Sequence, residues 1–188
     1  MITITDHFRR AVDDMTDRVH AIRDDQWHRP TPCAGWDVRE LVDHVTMENL
    51  QVPPLLAGLA AADVADALDG AVLEGDPVAA WDAAARAAVD AFSAPSAADR
   101  SVHLPFGDVP GAEYAAEMVA DLVIHSWDLA RATGADERLD PELVDVVSAW
   151  FAANEAAYRS GGLIGPHPRT PPDADPQTRL LDAFGRRR

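Results

Sequence analysis

Asp121 and His125 lie four residues apart in the segment Asp121-Leu122-Val123-Ile124-His125. On a helix that spacing projects both side chains from one face, about 6 Å apart along the axis. Met118, Leu122 and Leu129 share the face, and a carboxylate among apolar neighbours is costly unless it is paired or bound to a metal. A remote partner is His44, which falls between Leu41 and Val45 on the apolar side of an earlier helix. Two imidazoles and one carboxylate from facing helices make a three-ligand site with an open position, the arrangement expected of catalytic zinc. Zinc suits these donors first, with nickel or iron as alternatives. The same pair can instead make a hydrogen bond or a surface contact, so spacing alone leaves the metal open.

Other side chains extend the candidate site. Glu48 follows His44 by four residues and Glu117 precedes Asp121 by four, so either is a candidate ligand, outer acceptor or general base, although a solvated carboxylate is the simpler reading of each. Asp128 follows His125 closely enough to orient its imidazole, or simply to hydrogen bond locally beside Trp127. Cys33, the only cysteine, is a thiolate candidate near the site's mouth, with packing in a turn as the simpler role. His7, His20, His28, His103 and His167 sit in polar or Pro-rich surroundings and are expected at the surface. The sequence contains no Gly-rich phosphate loop, no Gly-x-Ser-x-Gly elbow and no Cys-x-x-Cys pair.

The elements that must position these groups are helices. Phe8, Val12, Met15, Val19 and Ile22 recur at steps of three and four, giving a first helix from Ile4 that ends before Pro30. Asp37 and Glu40 form a capping-box start for a second helix striped by Val38, Leu41, Val42 and Val45, which ends or kinks at Pro53-Pro54. After a linker of Ala, Asp and Gly, Asp76-Pro77 opens a third helix faced by Trp81, Ala85, Ala88, Val89 and Phe92. Ser101 to Gly111 reads as extended or turn. A fourth helix runs from about Ala112 to Thr133, with Gly134 at its C′ position, and Asp140-Pro141 starts a fifth that ends before Gly161-Gly162. A Pro-rich tail follows, in which Leu180, Leu181 and Phe184 can dock on the core while Arg186 to Arg188 remain solvated.

Composition narrows the partners. The 188 residues suffice for one domain, 1–188, and an alanine-rich 47% hydrophobic share with 6% aromatics favours an all-α fold. A formal charge of −16 disfavours nucleic acid and anionic membrane surfaces. One cysteine excludes an internal disulfide, and with no leader or spanning segment apparent a cytoplasmic location is expected.

Two motifs carry a resemblance. Thr31-Pro32-Cys33-Ala34-Gly35-Trp36-Asp37-Val38-Arg39 with His44 and Asn49, and Asp121-Leu122-Val123-Ile124-His125-Ser126-Trp127-Asp128 with Leu129 to Gly134, resemble metal-binding proteins related to the N-terminal domain of mycothiol-dependent maleylpyruvate isomerase, within the DinB-like superfamily. The resemblance covers nearly the whole chain. It implies a DinB-like four-helix bundle, here with an extra C-terminal helix and a Pro-rich tail, and a metal triad at His44, Asp121 and His125. Many relatives carry His or Glu where this chain has Asp121, which keeps Glu117 or Glu48 as a further ligand candidate. It also implies a thiol-dependent S-transferase or isomerase that uses a small thiol such as mycothiol on a small electrophile. Maleylpyruvate itself is not expected as substrate, because the isomerase carries a further C-terminal domain. A non-catalytic, metal-containing binding or sensing module and metal-dependent hydrolysis are the alternatives. A homodimer is left open, with a face containing Trp81 or Trp150 as its candidate interface.

Overall fold

The computed structural model describes residues 2–68, 75–160 and 170–186. Its helices are α1 (Ile4–His20), α2 (Val38–Leu56), α3 (Ala61–Leu68), α4 (Pro77–Phe92), α5 (Gly111–Thr133), α6 (Pro141–Ser160) and α7 (Pro176–Ala183), and strands β1 (Ser101–Leu104) and β2 (Gly107–Pro110) form an antiparallel hairpin. α1 and α2 each pack against both α4 and α5, which makes these the four helices of the bundle. α6 lies on α5, α7 on α6, and α3 on α2.

Local chemistry accounts for the ends. Asp37 caps α2 by accepting from the Glu40 amide at 2.9 Å, while Glu40 accepts from the Asp37 amide at 2.8 Å. Asp76 caps α4 ahead of Pro77. Gly134 closes α5 with φ 74°, a left-handed turn that a side chain disfavours. At the other end of α5, a Cβ on Gly111 would lie 2.0 Å from the Ala97 carbonyl oxygen, so only glycine lets the helix begin against that turn.

The core is where the stripes meet. Phe8, Met15 and Val19 of α1, Leu41 and Val45 of α2, Trp81 and Ala88 of α4, and Leu122, Trp127 and Leu129 of α5 are fully buried, each large aliphatic or aromatic side chain stabilising the fold by roughly 1.5–3 kcal/mol. Phe8 and Phe92 meet edge-on at 4.7 Å and join α1 to α4. Arg10 pairs with Asp140 and Glu142, tying α1 to α6.

Several expectations need correction. The linker after α2 contains α3, so the expected third and fourth helices are α4 and α5. Pro53 and Pro54 lie inside the last turn of α2, which ends at Leu56, two residues beyond them. The stretch from Ser101 to Gly111, expected as extended or turn, agrees with the β1–β2 hairpin and needs no correction. Trp81 is no interface residue; it is fully buried, and its indole N–H donates to Thr16 at 3.0 Å. Arg186 is not solvated: its guanidinium reaches the buried Asp128. The expected start of the tail, with His167, and residues 187–188 lie outside the described residues.

Candidate functional site

Helices α2 and α5 bring the expected donors together. His44 Nε2 lies 3.7 Å and His125 Nε2 3.3 Å from the same Asp121 oxygen, Oδ1. The three ligand atoms lie within 4.8 Å of one another. A tetrahedral site with bonds near 2.1 Å has edges of about 3.4 Å, so the donor set has the span a divalent ion needs. The second Asp121 oxygen, Oδ2, is buried without a hydrogen-bond partner, an orphaned acceptor that a cation would satisfy. Neither Glu48 nor Glu117 belongs to this group of donors.

His125 is held from behind. Its Nδ1 lies 3.0 Å from Asp128 Oδ2, which fixes the ring with Nε2 toward Asp121. Asp128 is fully buried and is met by Arg186, with Nε at 3.0 Å from Oδ1 and Nη2 at 2.7 Å from Oδ2. That reach depends on the end of α7: Gly185 takes φ 74°, its amide donates to Asp182, and the Arg186 amide donates back to Leu181 at 2.8 Å, the Schellman pattern. The turn folds Arg186 back over the bundle while Leu180 and Leu181 are buried in the core.

Cys33 is more than a packing residue. The loop before α2 folds into a tight turn, with Thr31 and Trp36 joined by backbone hydrogen bonding and Pro30 bridged to Asp37. It sets Cys33 Sγ 3.2 Å from Asp128 Oδ2, 3.7 Å from His125 Nδ1 and 3.5 Å from Arg186 Nη2. The same turn lays the Trp36 ring 4.8 Å from that of His44.

The metal-ligand candidates open on a cavity of about 1290 Å³. Trp36, Leu55, Phe106, Met118, Trp150 and Phe184 give it apolar walls, and Glu48, Tyr114, Glu117 and Tyr158 a polar one. Glu48 and Glu117 are thus partly buried rather than solvated. Burial, then the Asp121 charge, pushes Glu48 up to about 6, and burial also raises Glu117. Burial opposes ionisation of Asp121 and protonation of His125, but each is overcome by the charge of the other and by their mutual hydrogen bond. Asp121 is held below the carboxylate range and His125 well above the usual imidazole value. Of the histidines expected at the surface, His7 is buried beside Glu142 and His103 lines the cavity, whereas His20 and the His28 side chain are exposed.

Comparisons with known proteins agree with this architecture. The chain is 34% identical over 163 residues, 87% of its length and 80% of theirs, to uncharacterized proteins from two strains of Mycobacterium tuberculosis, CDC 1551 and H37Rv. Its fold is similar to the crystal structure of a histidine-to-alanine mutant of the mycothiol-dependent maleylpyruvate isomerase, with TM-score 0.66 at 14% identity over 86% of this chain and 75% of that one. The profile of the mycothiol maleylpyruvate isomerase N-terminal domain matches residues 8–130. The DinB-like bundle therefore carries a family identity as well as a shape, and the chain belongs to the mycothiol maleylpyruvate isomerase N-terminal domain family.

Proposed function

We propose that this protein is a metal-dependent thiol S-transferase or isomerase, with a divalent ion, zinc first among the candidates, held by His44, Asp121 and His125. The observation that carries the reading is the convergence of these donors, with the orphaned Asp121 Oδ2, at the wall of a large cavity. A bound ion there supplies positive charge that favours the thiolate form of a low-molecular-weight thiol such as mycothiol, the form that attacks an electrophile.

The protein's own groups do the rest. Asp128 and Arg186 fix the His125 ring, and the Trp36 ring lies tilted against that of His44 at 4.8 Å. The apolar walls give the carbon skeleton of a small electrophile a surface to pack on, and three protein donors leave a position free for an exogenous ligand. That open position favours catalysis over a purely structural ion.

The test is metal content by elemental analysis of protein purified without a metal-affinity step, beside His44→Ala and His125→Ala. About one equivalent in the parent and loss in both variants is expected for three-donor coordination, followed by thiol-dependent turnover across an electrophile panel. No metal, or metal retained in both variants, would sink the reading. Metal present without thiol-dependent turnover would leave a metal-containing binding or sensing module.

A further inference from the structure

Besides Cys33 and Arg186, the cavity is lined by polar groups that the proposed thiol chemistry does not use. Glu48 lies one helical turn beyond His44 on α2, and Glu117 one turn before Asp121 on α5, so both sit about 6 Å along their helices from the proposed metal ligands. Three residues before Glu117 on α5 stands Tyr114, only 4% exposed, its hydroxyl buried and without a hydrogen-bond partner. All three line the cavity. The charges that act on the Tyr114 hydroxyl are those of Glu48, Glu117 and Asp121; Glu48 is acted on by the Asp121 and Glu117 charges and by those of His44 and His125, and Glu117 accepts a hydrogen bond from Tyr158. The guanidinium that lines the cavity, Arg186, is already engaged by Asp128.

Partly buried carboxylates that face one another are costly unless a cation joins them, and an unpartnered buried hydroxyl adds a further cost. An ion at His44, Asp121 and His125 would answer Asp121 but would leave the Tyr114 hydroxyl unsatisfied and no arginine between Glu48 and Glu117, with Tyr158 as a hydrogen-bond donor to Glu117. A primary ammonium has three N–H donors and no acceptor, which matches one oxygen each from Glu48, Glu117 and Tyr114. The Trp150 and Tyr158 rings, 5.4 Å apart and edge to face, line the same cavity and add aromatic surface for the carbon skeleton of such a ligand.

We propose that Glu48, Glu117 and Tyr114 form a subsite for the primary ammonium group of a small organic ligand. The subsite deepens the thiol-transfer reading by naming a substrate class, a cationic amine, and rests on that reading only in taking this ligand for the electrophile that shares the cavity with the thiol. A neutral ligand of the same shape would leave the wall unpaired.

The experiment is calorimetric titration of phenethylamine and its neutral isostere phenethyl alcohol into the full chain, both metal-free and zinc-loaded. The amine is expected to bind at least about tenfold more tightly, the factor a charge-assisted hydrogen bond is worth. That preference is lost in Glu48→Gln and in Glu117→Gln, weakened in Tyr114→Phe, and kept in Asp17→Asn, which removes an exposed charge far along the chain on α1. Circular dichroism checks that each variant folds, and Tyr114→Phe, which changes no charge, carries the test if a glutamine variant does not. Equal binding of amine and alcohol, a preference that survives both glutamine variants, or an equal loss in Asp17→Asn would overturn the subsite, the last by tracing the preference to overall charge. Because the titration needs no thiol, amine binding without thiol-dependent turnover would sink the transferase reading and leave the subsite standing, and the converse pattern would do the reverse.

Discussion

At the scale of single residues, the site is a set of charges that satisfy one another only in part. Asp121 shares Oδ1 with two imidazoles and leaves Oδ2 unpaired. In the metal-free protein His125 keeps its proton well above the usual imidazole value, because the Asp121 charge outweighs burial, while Asp121 is held below the carboxylate range. The signs are opposite. The raised His125 contributes stability that is fully present below about pH 6.5 and is lost as pH rises through its folded value. The depressed Asp121 contributes stability present above about pH 3.9 and lost as pH falls toward its folded value. A divalent ion must displace the His125 proton, so its affinity should rise with pH by about tenfold per unit below the folded imidazole value. Calorimetry at neutral pH in buffers of different ionisation enthalpy should report about one proton released per ion. Binding without proton release would show that the ion does not take His125 Nε2.

At the scale of elements, α2 and α5 supply the donors and α7 braces them. Arg186 reaches Asp128 only because the turn at Gly185 reverses the chain after α7. Arg186→Ala leaves the three donors untouched but strips the buried Asp128 of its guanidinium. The expected result is metal affinity weaker by about tenfold, the low end of the effect of removing an outer partner, with the far-ultraviolet spectrum of the bundle unchanged. Unaltered affinity would show that Asp128 holds His125 without help from the tail. The capping signals that place α2 and α4 were legible in sequence, at Asp37 with Glu40 and at Asp76 with Pro77, because a cap is a contact between near neighbours. The Arg186 contact spans 58 residues, and nothing local in a run of terminal arginines marks it.

At the scale of the whole molecule, 32 acidic against 16 basic residues leave a charge of −16. Self-repulsion of that size opposes the compact state. Raising ionic strength from about 0.01 to 0.15 M shortens the screening length from roughly 30 to 8 Å, and the midpoint of thermal unfolding should rise by about 3 °C, equivalent to about 1 kcal/mol for a chain of this size. A midpoint that falls with added potassium chloride would contradict this. Among the described residues no helix is long and apolar enough to cross a membrane.

Helical periodicity and i,i+4 spacing are local and repeat along the chain, so the helical class, the main stripes and the candidate grouping of His44, Asp121 and His125 were legible from the residues alone. The sequence also carried the family motifs. Tertiary structure alone decided that Glu48 and Glu117 face a cavity with Tyr114 rather than water, that Cys33 meets Asp128, that Trp81 is interior, and that Arg186 folds back on the bundle. Each of those depends on which helix faces lie opposite one another and on where a loop or tail returns. Such long-range geometry is selected by the packing of the whole core and leaves no fixed spacing in the chain.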